Sequence, residues 1–197
     1  MMEGIKNIVF DFGGVIVNLD RQRCIKALNS IGAQNIACYV DECRQEDLFH
    51  DLEIGHINRK EFCEAVRNKS AGCKATDEDI CWAWGQLLTD IPAYKTVWLR
   101  KLKEHYRLFL LSNTNEIHWQ LFGHHIEDCF EKSFLSYKMH LLKPDAEIFQ
   151  RVLADASIKA EETLFVDDSK VNCDSAERLG FGSMWAKDGG EWEILVR

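Results

Sequence analysis

Three short apolar runs constrain this chain more than any other feature, because each one ends on a polar group that burial in an apolar interior cannot accommodate. Ile8-Val9-Phe10 delivers Asp11, residues 108–111 deliver Ser112, and residues 163–166 deliver Asp167 and Asp168. Runs this short, apolar and rich in β-branched or aromatic residues suit strands covered on both faces, the habit of parallel sheets. An unpaired carboxylate is expensive to bury, so Asp11 must either meet a cation or serve chemistry.

The rest of the chain fills in the same pattern. Pro92 opens a helical stretch, TVWLRKLKEHY, and RLFLLSNTN reads as a buried strand. Then follow a helix near residues 117–125, a short strand near 133–136, the helix AEIFQRVLADA, the strand TLFVDDS, a helix over VNCDSAERLG and a last strand, GSMWA. Such βα repetition predicts an α/β fold, a mostly parallel sheet with helices on both faces. Residues 19–90 hold several helix-like segments and no strong strand. The expected organisation is a core from residues 1–18 and 92–197, with 19–91 as an inserted helical unit.

At 197 residues, 46% of them hydrophobic, the chain can bury a real core. A net charge of −8 argues against phosphate-backbone binding, so no nucleic-acid partner is expected. The start, MMEGIKNIVF, lacks a cationic and then apolar leader, and no stretch has the roughly 18 apolar residues of a membrane span. A cytoplasmic location and no membrane partner are therefore the default expectations.

The eight cysteines (Cys24, Cys38, Cys43, Cys63, Cys73, Cys81, Cys129, Cys173) contain no CxxC pair and read as reduced packing residues. His124 and His125, adjacent on an expected helix, read as a surface pair, and Trp82, Trp84 and Trp98 as core.

If the three strands are parallel neighbours, Asp11, Ser112-Asn113-Thr114 and Asp167-Asp168 converge on one sheet edge, where ligands bind in open α/β sheets. Lys143, in the turn LLKPD, can reach the same edge. Each residue alone has an ordinary use: Asp11, the Ser112 cluster or the aspartate pair as a helix cap with Asn172 facing solvent, and Lys143 as a solvated turn lysine. Together they suit hydrolysis of a phosphate monoester. Asp11 would attack phosphorus and Asp167 and Asp168 would hold Mg²⁺. Ser112 and Asn113 would donate to phosphate, Lys143 would supply positive charge, and Gly13 and Gly14 would let the backbone approach the ligand.

In the order FDFGGVI, LLSNTN, LLKPD and FVDDSKVN, these motifs resemble those of the haloacid dehalogenase (HAD) superfamily over essentially the whole chain. The resemblance implies a Rossmann-like core, a small helical cap inserted after the first strand, Mg²⁺ dependence and an aspartyl-phosphate on Asp11. It implies metal ligation by Asp11, Asp167, Asp168 and the Gly13 backbone carbonyl. DLEIGHINRKEFCEAV is similar to cap helices of the subgroup containing glucose-1-phosphate phosphatases and the phosphatase domain of bifunctional epoxide hydrolases.

One position departs from the family pattern. Most family phosphatases carry a general acid two residues after the nucleophile, where this chain has Gly13. Losing a positioned acid costs about 10²–10⁴ in rate unless the leaving group is acidic or another group substitutes. A small phosphorylated metabolite, with a sugar 1-phosphate foremost, is the expected substrate; His50, Glu53 and His56 are the cap residues that could replace the acid. Two alternatives stay open here: a metal-independent 2-haloacid dehalogenase and a non-catalytic binding or regulatory protein.

Overall fold

The computed structural model describes residue 2, residues 4–41 and residues 47–196; Cys43 lies outside the described residues. Strands β1 (Asn7–Phe10), β2 (Arg107–Ser112), β3 (Lys132–Leu135), β4 (Thr163–Asp167) and β5 (Gly182–Trp185) form one parallel sheet in the order β3-β2-β1-β4-β5. Phe10 pairs with Leu110 on one side and with Val166 on the other. Asp11 and Asp167 therefore leave the sheet level with one another, and Ser112 leaves one residue later.

Alternation along the strands divides two cores. Ile8, Phe10, Leu108, Leu110, Leu164 and Val166 face one side, where Leu99 and Leu102 of α6 (Ala93–Lys103) and Trp192 cover them. Val9, Phe109, Leu111, Phe134 and Phe165 face the other side. They pack against Ile148, Phe149 and Val152 of α9 (Ala146–Ala156) and Ala176 of α10 (Lys170–Arg178). Burial on both faces is why these strands read as unbroken apolar runs.

Between β1 and α6 lie α1 (Arg21–Ser30), α2 (Gln34–Asp41), α3 (Asp47–Glu53), α4 (Arg59–Lys69) and α5 (Asp77–Gly85). Their starts are written locally: Asp20 caps α1, and Asn58-Glu61 and Thr76-Asp79 form capping boxes at α4 and α5. These helices bury Leu28, Ile36, Leu52, Phe62, Val66 and Ile80 in a cluster of their own, joined by Ile117 of α7 (Glu116–Phe122). The chain leaves and re-enters the sheet layer along one paired seam. Asn18 N–H donates to Asp90 O at 2.9 Å, and Asp20 N–H to Leu87 O at 2.8 Å. A short α8 (Ser136–Met139) follows β3.

Three local expectations need correction. The helix expected over 117–125 ends at Phe122, whose φ of −128° leaves the helical range, and the chain continues as a 3₁₀ turn over Gly123–His125, where Gly123 backs onto the Trp119 ring with no room for a Cβ. His124 and His125 are exposed on that turn. Trp82 is 54% exposed, not core, since the inward face of α5 is taken by Ile80, Ala83 and Trp84. Five of the seven described cysteines are buried, Cys81 is half-buried and Cys38 is exposed. Among the described residues no helix is long and apolar enough to cross a membrane.

Candidate active site

Asp11 sits where β1 stops, its N–H bonded to Val166 O at 2.8 Å. The chain then turns back on itself, with the N–H groups of Ile16 and Val17 both donating to Phe12 O at 2.9 Å. Lys95, buried in α6, supports this turn from behind through Nζ to Val15 O at 2.7 Å. Gly14 has φ +78°, and any Cβ there would collide with the Asp168 carboxylate. Glycine is thus required both by conformation and by the closeness of Asp168.

Lys143 ties the strand ends together. Its Nζ donates to Asp11 Oδ1 at 2.7 Å, to Asp167 Oδ2 at 2.7 Å and to Leu111 O at 3.0 Å. Three donors meet three acceptors, so the ammonium is fully satisfied although buried. Burial works against its charge, and Asp11 and Asp167 overcome that, holding its pKa above the ordinary lysine range. Asp11 moves upward instead: burial dominates, Asp167 and Asp168 add to it, and the lysine offsets only part.

Asn113 holds the lysine turn in place. Its Nδ2 donates to Lys143 O at 2.8 Å, and its Oδ1 accepts Lys143 N–H at 2.9 Å. One of the two amide hydrogens expected to bind phosphate is thereby engaged on the backbone, while the residue still lines the cavity. Ser112 is buried yet lines the cavity at the strand end. Neither residue caps the following helix; Asn115 does, accepting from His118 N–H at 3.1 Å.

Asp167 and Asp168 are adjacent and unlike. Asp167 is fully buried; its carboxylate accepts from Lys143, from Ser169 N–H at 2.8 Å and from Asn172 Nδ2 at 3.0 and 3.1 Å. Asp168 faces the cavity, with its pKa raised by burial and by Asp167. Asn172 does not face solvent, and sequence reasoning missed its role. The available signal was its place in the first turn of α10, which aims it back at the strand end. One carboxylate oxygen from each of Asp11, Asp167 and Asp168 lies within 4.8 Å of the others. An all-carboxylate group offers hard oxygen ligands, which suit Mg²⁺.

A cavity of about 300 Å³ opens over Asp11, lined also by Gly13, Ser112, Lys143 and Asp168. From the helical insert, Arg21 and Glu53 enter it. His50 and His56 do not line it; both stand beside Asp51, at 3.5 and 3.6 Å. His118 lines the cavity wall, stacked on Trp84, with Nε2 donating to Trp84 O at 3.1 Å and Nδ1 accepting from Asn115 at 3.2 Å. Burial depresses its pKa to about 4, so the ring is neutral.

A parallel α/β sheet with a carboxylate–lysine–carboxylate bridge at the ends of its central strands defines an enzyme architecture whose chemistry sits at that edge. The haloacid dehalogenase-like hydrolase profile matches residues 5–180, and the chain belongs to that family. D-ribitol-5-phosphate phosphatase from Bacteroides thetaiotaomicron is 33% identical to it over 196 residues, covering 95% of each chain. A sesquiterpene phosphatase from Aspergillus oryzae is 27% identical, covering 95% of this chain and 93% of its own. A HAD family enzyme of Bacteroides thetaiotaomicron, solved in complex with magnesium and inorganic phosphate, superposes with a TM-score of 0.91 at 42% identity, over 98% of this chain and 100% of that one.

Proposed function

We propose that this protein is a Mg²⁺-dependent phosphatase of small polyol or sugar phosphates, working through an aspartyl-phosphate on Asp11. The observation that carries the reading is the Lys143 bridge, 2.7 Å from both Asp11 and Asp167, beside the carboxylate of Asp168. Asp11, Asp168 and the Gly13 carbonyl hold Mg²⁺ directly, and Asp167 orients the group from behind. The ion neutralises the crowded carboxylates and the phosphate oxygens. A metal-free attack on carbon would leave this crowded carboxylate cluster without the cation it suits.

Asp11 forms a bond from Oδ to phosphorus as the ester P–O bond breaks and the alcohol leaves; water then attacks phosphorus and regenerates the carboxylate. Lys143 fixes the nucleophile and supplies charge. The Ser112 hydroxyl and the backbone N–H of Asn113 donate to phosphate, and one Asn113 amide hydrogen holds the Lys143 carbonyl. Residues 19–91 act as a cap that closes the cavity against water.

Cavity size and lining support a small polar substrate. Roughly 300 Å³ is the lower end of the range for ligand sites. Arg21, Glu53 and Asn172 on its walls suit hydroxyl groups better than an isoprenoid tail. The ribitol-phosphate relative favours an open-chain polyol with a primary phosphate ester over the sugar 1-phosphate that Gly13 alone suggests. The test is phosphate release, with Mg²⁺ and with EDTA, from D-ribitol 5-phosphate, sugar 1- and 6-phosphates and 4-nitrophenyl phosphate. Mg²⁺-dependent turnover led by the polyol ester is expected. Preference for 1-phosphates would move the substrate class, and no turnover of any ester would end the phosphatase reading.

A further inference from the structure

Given that phosphatase reading, the primary alcohol of a polyol phosphate is a poor leaving group, and Gly13 cannot protonate it. We propose that Glu53, reaching down from α3, is the proton donor to the leaving oxygen. Among the described residues lining the cavity, the acids are Asp11, Asp168 and Glu53, and the first two belong to the nucleophile and metal cluster. His118 is disqualified because both ring nitrogens are already engaged.

Direction agrees with chemistry. In-line displacement places the leaving oxygen opposite the attacking one, away from the sheet edge that supplies Asp11, and with Gly13 carrying no acid Glu53 enters the cavity from the insert. The turn after Glu53 is pinned to the core. Gly55, at φ +74°, lies against the Tyr137 carbonyl where no Cβ fits, and His140 Nδ1 donates to Ile54 O at 2.9 Å. His140 itself adopts a left-handed conformation, φ 57°, at the end of α8. Burial raises the Glu53 carboxyl to about 7, with His50 and Lys143 opposing, so a protonated form is present at neutral pH.

The proton balance closes. As the ester bond breaks, the alcohol oxygen takes the Glu53 proton and departs neutral. The resulting carboxylate takes a proton from the water that attacks the aspartyl-phosphate, restoring the acid.

Glu53→Gln keeps the shape and removes the acid, and kcat/KM isolates the first half of the reaction. Expected is a loss of about 10²–10⁴ in kcat/KM for D-ribitol 5-phosphate against no more than about threefold for 4-nitrophenyl phosphate, whose leaving group needs no proton. The wild-type decline of kcat/KM for the polyol ester above about pH 7 should vanish in the variant. Equal losses on both esters, or none, would overturn the assignment. Inactivity of the wild type on both would instead remove the phosphatase reading, and Glu53's role with it.

Discussion

The sheet edge and the helical insert both place carboxyl groups over one cavity, and they do so by opposite means. At the edge, Asp11 and Asp167 are fixed by strand register and by an ammonium that meets both. In the insert, Glu53 is placed by a helix whose position depends on a glycine turn against Tyr137 and a histidine bond to Ile54. The edge is thus specified by spacing along the chain, and the insert by packing between elements distant in sequence. Chemistry common to the family can reside in the first, and choice of substrate in the second.

The largest effect should come from the edge. Asp11→Asn removes the nucleophile and is expected to lower turnover by at least about 10⁴-fold, with the thermal midpoint essentially kept. Near-native turnover in that variant would mean the bridge is structural.

Lys143→Met strands two buried carboxylates and should destabilise by about 3–5 kcal/mol in urea unfolding. The exposed Lys60–Glu64 pair of the insert, 4.0 Å apart, offers the contrast: Lys60→Met should stay within about 0.5 kcal/mol. Similar changes at the two sites would dissolve the distinction drawn between them.

Within the edge itself, Asp167 and Asp168 should separate. Asp168→Ala is expected to raise the Mg²⁺ concentration for half-maximal activity at least tenfold, since losing even an outer partner of a metal ligand costs about 10–100-fold. Asp167→Ala should show mainly as lost stability, because it frees Lys143 and Asn172 from their acceptor. A reversed pattern would exchange the direct and supporting roles.

The last effect lies at the seam where His118 meets Trp84. Its pKa is depressed to about 4 in the folded protein against about 6.5 unfolded, so only the unfolded chain binds a proton between those values. Its contribution is complete above pH 6.5 and is lost as pH falls toward 4. Between pH 6.5 and 5, the wild type should lose about 1.5 kcal/mol more unfolding free energy than His118→Gln. Parallel pH curves would mean the histidine is not held neutral.

Much of the edge was legible because apolar runs buried on both faces announce themselves, and whatever polar residue ends them must share the carboxyl side of the sheet. Asp11, Ser112, Asp167 and Asp168 are placed at the edge that way, and Lys143 by its turn, LLKPD. Spacing points to Asn113 as a phosphate donor but does not reveal that its amide also clasps the Lys143 backbone. Asn172, Lys95 and Glu53 share the same difficulty. Each owes its place to how one helix lies on another element, and a helical period marks the buried face without naming what it meets. His50 and His56 show the converse, close to Glu53 in sequence and outside the cavity lining.

The most direct test of the central claim is a phosphate-release time course with 4-nitrophenyl phosphate, in which Mg²⁺ is supplied, removed with EDTA and restored, run beside Asp11→Asn. Turnover that stops and returns with the ion, and is absent from the variant throughout, is the predicted result. Release that persists in EDTA, or that Asp11→Asn sustains, would contradict an Asp11 nucleophile working beside Mg²⁺.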